Sequence, residues 1–250
     1  MFWKLMNKSK MYRQIIFLVF LAGMVAGFYF FFFHKFAPVI PTLKDAACIW
    51  DGYDKNCFEK NDAWQRGITY FRSQLQSSAT TYMDTLEALR SLLWTKEGWS
   101  LKFAGEGAPS VRLESLFPLR ILEKDSSGCL GIAWLAMMVA ESEHFGLEVI
   151  LLPGHVVLRY HGIYMEPNLN GYSYTESEYK QKYAKGPWTG LEWKPLTHGE
   201  ILGLVAFNLG NEAFERNSRI ALKWYDLADS FFPEYPGIAV NRDVARKTLN

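Results

Sequence analysis

The stretch Ile15 to Phe33 constrains this chain more than any other, because its 19 residues, IIFLVFLAGMVAGFYFFFF, hold no charge. At about 1.5 Å per residue such a helix spans roughly 28 Å, close to the ~30 Å hydrocarbon core of a bilayer. A secretory signal also begins with an apolar run, but its core is about 7–15 residues long and ends at small residues. Here the exit is Phe30-Phe31-Phe32-Phe33-His34-Lys35, with bulky rings where a cleavage site needs small side chains. A buried helix of a water-soluble domain fits less well, since this run has no polar face. The run is therefore expected to be an uncleaved transmembrane helix. Lys4, Lys8, Lys10 and Arg13 precede it, so the positive-inside rule leaves residues 1–14 as a basic cytoplasmic tail and exports the rest. Lys35 and Lys44 reduce that asymmetry without reversing it. The expected location is the cell membrane, single-pass, with the C-terminal part periplasmic or extracellular and the membrane itself as a partner.

The net charge of +1 conceals an uneven distribution. Residues 1–44 hold six basic side chains and no acid, so residues 45–250 carry 21 Lys and Arg against 26 Asp and Glu. A folded part with a net charge of −5 lacks the basic footprint that DNA or RNA requires. Nucleic-acid partners are set aside. Of the three cysteines, Cys48 and Cys57 lie nine positions apart, a spacing that permits a small disulfide loop in an oxidising compartment. That pairing leaves Cys129 as an odd thiol.

Residues 34–60, with Pro38 and Pro41, read as a linker. From 60 to 96 the apolar residues Ile68, Phe71, Leu75, Tyr82, Leu86, Leu89 and Leu93 recur at helical intervals. A short helix is expected at about 112–123, on Leu113, Leu116, Leu119 and Leu122. Asp125-Ser126-Ser127 then offers N-caps to a helix running to Phe145 and stopping at Gly146. Leu130 to Ala140 is uncharged, which marks a buried central helix. Leu147 to Tyr160 is rich in Val, Ile and Leu and is interrupted by Pro153-Gly154; it reads as a strand pair or one bent strand. His161-Gly162 reads as a tight hairpin turn into Ile163–Glu166. Residues 170–195 read as a Tyr- and Trp-rich loop, and the pattern from Thr197 to the end is helical again. Helices, then strands, then helices imply an α+β fold.

Three residues carry candidate chemistry. Cys129 opens the central helix, where the dipole and the free backbone N–H groups favour a thiolate and can form part of an oxyanion hole. A small buried hydrophobe is the bland alternative for such a cysteine. His155 stands in an apolar strand, where a satisfied core histidine is the bland alternative. If His161-Gly162 is a two-residue loop, Tyr160 pairs with Ile163, Val157 falls opposite Glu166 and His155 opposite Asn168. His155, Glu166 and Asn168 then share one face, which supplies an imidazole with an orienting acid.

Ser127-Gly128-Cys129-Leu130-Gly131, then Leu152-Pro153-Gly154-His155 with its hydrophobic strand, then Glu166-Pro167-Asn168, resemble the SirB-type transglutaminase-like proteins. The resemblance covers about residues 75–195. It implies a papain-like core spanning roughly 61–195, in which Cys129 is nucleophile and His155 general base. The family's usual Asp before Pro is Glu166 here, with Asn168 as a possible substitute or substrate contact. A further resemblance, of Gly210, Ala221, Tyr225, Ala228 and Pro233 to a tetratricopeptide unit, makes 197–250 a helical, tetratricopeptide-like tail that caps the domain. No zinc spacing, phosphate loop or dinucleotide fingerprint occurs, so no metal and no cofactor is expected. Two functions remain open at this stage. One is a cysteine-dependent peptidase or acyltransferase acting on peptide or protein amides. The other is a non-catalytic scaffold that keeps the fold and binds a peptide or protein partner.

Overall fold

A helix without a polar face is stable in water only when other elements enclose it, and the architecture is arranged around that requirement. A computed structural model describes residues 42–75 and 81–249. In chain order these form α1 (Leu43–Trp50), a 3-10 turn (Cys57–Lys60), α2 (Asp62–Leu75), α3 (Tyr82–Trp94), β1 (Lys102–Phe103) and the short helices α4 (Ala108–Val111), α5 (Leu113–Leu116) and α6 (Pro118–Lys124). There follow β2 (Ser126–Ser127), α7 (Cys129–Glu143), β3 (Glu148–Leu152), β4 (His155–Tyr160), β5 (Ile163–Met165) and α8 (Glu176–Lys182). The last three elements are α9 (His198–Phe214), α10 (Ser218–Phe231) and α11 (Pro236–Lys247). Every residue of α7 from Leu130 to Ala140 is buried. Helices α1, α5 and α6 and strands β3 and β4 pack against it.

The sheet is antiparallel in the order β3-β4-β5. Pro153-Gly154 is a two-residue turn, since Leu152 pairs with His155, so the apolar run Leu147 to Tyr160 is a strand pair. His161 and Gly162 both adopt positive φ, 47° and 80°, the combination a type I′ hairpin needs. Tyr160 pairs with Ile163 and Leu158 with Met165, the register of a two-residue loop. The ladder stops there. Pro167 has no N–H to extend it, and the chain turns into a 3-10 segment at Pro167–Leu169. Asn168 therefore leaves the strand instead of facing His155.

Several expectations need correction. The stretch read as linker contributes α1 to the core: Thr42 caps this helix by accepting the Asp45 N–H, and Leu43, Ala46, Ala47 and Cys48 are buried. Trp134 Nε1 of α7 donates to the Leu43 carbonyl at 3.2 Å, and Cys48 is bonded to Cys57 with their Cα atoms 5.8 Å apart. The flanking charges of this segment masked its amphipathic period. Ser126 and Ser127 do not cap α7; they pair in parallel with Lys102 and Phe103, and Gly128 is the N-cap. At the other end His144, in the left-handed region at φ 60°, terminates the helix before Gly146. The helical stretch 60–96 is two helices, α2 and α3. The supposed loop 170–195 contains α8, opened by a capping box between Thr175 and Glu178. In α9, Ile201, Leu202, Val205 and Ala206 belong to the same buried core as α7. Among the described residues no helix is long and apolar enough to cross a membrane; the anchor expected at Ile15–Phe33 lies outside them.

The seat of α7 is tight at Gly131, where a Cβ would lie 2.3 Å from Ser127 Oγ and 2.4 Å from the Ser115 carbonyl. Gly131→Ala should therefore destabilise the fold by about 1–3 kcal/mol, as overpacking does. Gly146→Ala, which meets nothing within 4 Å, should be close to neutral. Equal urea midpoints for Gly131→Ala and the unaltered protein would contradict this packing.

Candidate active site

The first turn of α7 is placed by close contacts with two backbone carbonyls. Ser127 Oγ, fully buried, donates to the Ser115 carbonyl at 2.7 Å. Gly128 has no room for a side chain, since a Cβ would lie 2.5 Å from the Ser110 carbonyl. Cys129 is thus fixed as the first residue of a 15-residue helix, where backbone N–H groups lack intrahelical partners and the dipole is positive. Cys129 is the free thiol and is partly accessible.

His155 is the first residue of β4, directly after the turn, and only 7% of it is exposed. Its Nε2 lies 2.9 Å from Glu166 Oε1 and 3.0 Å from Oε2. That nitrogen faces a carboxylate on both oxygens, so it carries the proton and donates. Nδ1 is the ring nitrogen that Glu166 leaves free, and His155 lines the same cleft as Cys129, close enough for its charge to favour the thiolate. The Val156 N–H also favours the thiolate. Glu166 is 1% exposed, and its Oε1 also accepts the Asn168 backbone N–H at 3.1 Å. The site is thus a relay: thiol, imidazole, carboxylate, peptide N–H.

Burial alone pushes the Cys129 thiol up, but the charge and hydrogen bond of His155 and the Val156 N–H outweigh it and hold the thiol below its ordinary range. Burial likewise works against the imidazolium, yet Cys129 and Glu166 together raise His155 to about 10. Glu166 is held below the usual carboxylate range; desolvation opposes this, while His155, the Asn168 N–H and the charge of Lys182 produce it. All three shifts favour one state, thiolate, imidazolium and carboxylate, at neutral pH.

Helix α8 forms the other wall. Tyr183 stacks on His155 with ring centroids 5.3 Å apart and planes 9° from parallel, and Tyr179 is fully buried beside it. Burial, followed by the Glu166 charge, raises both phenols well above their ordinary value, so they stay neutral and keep water from the His155–Glu166 pair. The sulfur opens into a cleft of about 240 Å³, lined on the core side by Cys129, His155, Val156, Leu116, Leu130 and Leu151.

A family model of the transglutaminase-like superfamily matches residues 62–201. The chain belongs to this superfamily. Searches of curated proteins and of solved structures return no match. The match contains Cys129, His155 and Glu166, whereas α1, its disulfide, α10 and α11 lie outside it. The transglutaminase-like core here mixes helices with a small antiparallel sheet.

Sequence reasoning selected Cys129, His155 and Glu166, and the fold brings these three together. It does not bring the Asn168 side chain to His155; Asn168 acts through its backbone N–H on Glu166. Tyr179, Tyr183 and the Val156 N–H were missed. For the tyrosines the signal was present: Thr175-x-x-Glu178 is a capping box, and Tyr179 and Tyr183 then fall four apart on one helix face.

The alkylation rate of Cys129 by iodoacetamide should follow a pH profile with its midpoint below the ~8.5 of a free thiol. In His155→Ala the midpoint should move above that value, because burial persists while the opposing charge is gone. Glu166→Gln should shift it less. Superimposable profiles for His155→Ala and the unaltered protein would remove the ion pair.

Proposed function

We propose that the chain is a membrane-anchored, SirB-like cysteine enzyme that acts on peptide or protein amides outside the cytosol. The observation that carries this reading is the relay in which Glu166 holds the His155 ring on both oxygens while Cys129, at the start of a buried helix, opens into a cleft. A purely structural cysteine needs neither the charged partner nor the opening.

The chemistry follows from the charges. The Cys129 thiolate attacks the amide carbonyl carbon, and the developing oxyanion is stabilised by backbone N–H groups of the α7 first turn. As the C–N bond breaks, the His155 imidazolium gives its proton to the departing amine, leaving a thioester and a neutral imidazole. His155 then takes a proton from water or from a second amine as either attacks the thioester. Hydrolysis releases an acid and transfer releases a new amide; in both cases the thiolate–imidazolium pair is restored. Glu166 stays ionised and orients the ring throughout.

Export is supported by the Cys48–Cys57 bond, since such bonds persist in oxidising compartments, and by the basic residues ahead of Ile15. The tail is read as a tetratricopeptide-like cap. Support for that comes from Gly210, whose missing side chain admits the Tyr225 ring, and from the fully buried Ala221 and Ala228 between helices.

Two experiments bear on the proposal. A reporter active only in the cytosol, fused after Asn250, should stay silent in the membrane-bound protein; a signal would reverse the topology. In a complex peptide pool followed by mass spectrometry, with and without an added alkylamine, the protein should yield new acids or new amides. Cys129→Ser should lower their formation at least about 1,000-fold while the fold persists. An unchanged product profile in Cys129→Ser would leave the non-catalytic scaffold as the function.

A further inference from the structure

The family match ends at Ile201, yet the cleft at the sulfur is completed by residues beyond it. Leu204, Phe207 and Asn208 come from α9, and Tyr235 comes from the turn between α10 and α11. They face the core-side residues across the opening at Cys129. The rings of Phe207 and Tyr235 meet edge to face with centroids 5.3 Å apart, and Tyr235 also packs against Phe232 at 5.5 Å. Leu204 is almost fully buried. The wall is rigid by construction, because Phe232 and Ile238 on either side of Tyr235 are core residues.

The character of the cleft is as informative as its origin. No Asp, Glu, Lys or Arg side chain lines it among the described residues. Apart from the reacting pair its polar groups are neutral: Ser110, whose hydroxyl donates to the Gly107 carbonyl at 2.7 Å, Asn208, whose amide nitrogen donates to the Leu204 carbonyl at 2.8 Å, and the Tyr235 phenol. A volume of about 240 Å³ corresponds to about eight waters at ~30 Å³ each. That suits one large side chain and is less than the smallest pockets that hold drug-sized ligands. A charged side chain placed here would lose its hydration and find no counter-ion besides the reacting pair.

Building on the cysteine-enzyme reading, we infer that the C-terminal helices form the acyl-donor subsite, with Phe207, Tyr235 and Leu204 selecting a substrate whose residue at the attacked carbonyl is uncharged and apolar or aromatic. The core supplies the reacting groups, and the tail supplies the choice of substrate. These three are specificity residues; they touch the substrate and move no proton.

N-acetyl aminoacyl chloromethyl ketones test this directly, because each presents a side chain beside a carbonyl and reports on one thiol. The Cys129 thiolate displaces chloride, forming a C–S bond as the C–Cl bond breaks. On the intact protein the phenylalanine and leucine reagents should inactivate Cys129 at least about tenfold faster than the glycine reagent, and the lysine and aspartate reagents no faster than glycine. In Phe207→Ala and Tyr235→Ala the phenylalanine-to-glycine ratio should fall toward one. Phe207→Trp, which keeps the core filled but narrows the cleft, should lower the same ratio, so a folding defect in the alanine variants does not decide the matter. Iodoacetamide at pH 6.5 on the unaltered protein reports the nucleophile by itself. Rapid labelling with a ratio near one overturns the subsite and leaves the enzyme reading standing. A high ratio that none of the three variants lowers overturns the assignment to Phe207 and Tyr235. Slow labelling overturns the nucleophile and, with it, the subsite.

Discussion

The first turn of α7 must stay where it is for anything at this site to work, and what holds it is close backbone approach together with the burial of the helix behind it. A helix apolar on every side cannot rotate or slide without exposing Leu, Met or Trp to water, which costs about 1.5–3 kcal/mol for each large side chain. Trp134 adds direction: its indole N–H donates to the Leu43 carbonyl, so α1 and the Cys48–Cys57 bond brace the helix from outside the family match. The two glycines of Ser127-Gly128-Cys129-Leu130-Gly131 let its N-terminus sit against the Ser110 and Ser115 carbonyls. The position of one sulfur atom thus rests on packing that extends across most of the core.

Placing charges in such a core is expensive, and the arrangement shows how the expense is met. Desolvation is the largest influence on Cys129, His155 and Glu166 alike, and in each case it opposes the charged form. Each charge answers to the next, and the relay ends on a peptide N–H rather than on another titratable group. Removing one member leaves the others buried and unpaired, a situation that typically costs about 3–5 kcal/mol. Tyr183 and Tyr179 cover the pair with neutral rings. They exclude water, which strengthens the electrostatics inside, without adding a competing charge.

Legibility in the sequence followed the strength of local signals. The buried helix and the His161-Gly162 turn, with the Tyr160–Ile163 register that a two-residue loop implies, could be read because a long apolar run and such a dipeptide have few alternatives, whereas Pro153-Gly154 left a strand pair and one bent strand both open. The short helix α1 could not be recognised, since its apolar face is Leu43, Ala46 and Ala47 set among charges and followed by a polar loop. Ser126 and Ser127 were misread because serine before a helix usually caps it, whereas here tertiary pairing with Lys102 and Phe103 claims their backbone. The aromatic character of 170–195 suggested a loop, yet its rings are spaced to fold over His155. Contacts between distant segments, such as Phe207 and Tyr235 beside Cys129, leave no mark on local pattern at all.

Glu166 shows how an acid one methylene longer than the aspartate implied by the sequence resemblance is accommodated. An aspartate before proline would sit one methylene closer to its own backbone. Here the strand ladder ends at Met165, one residue before Glu166, so the backbone is already turning away from β4 when the acid is reached. The longer side chain spans that gap and presents both oxygens to His155 Nε2. The same carboxylate caps the 3-10 turn by accepting the Asn168 N–H, which fixes its rotamer against the extra freedom that the methylene introduces. Pro167 both ends the ladder and starts that turn. The Glu-Pro-Asn sequence is therefore one device: the proline moves the backbone off the strand, the asparagine N–H locks the carboxylate, and the added methylene returns it to the imidazole.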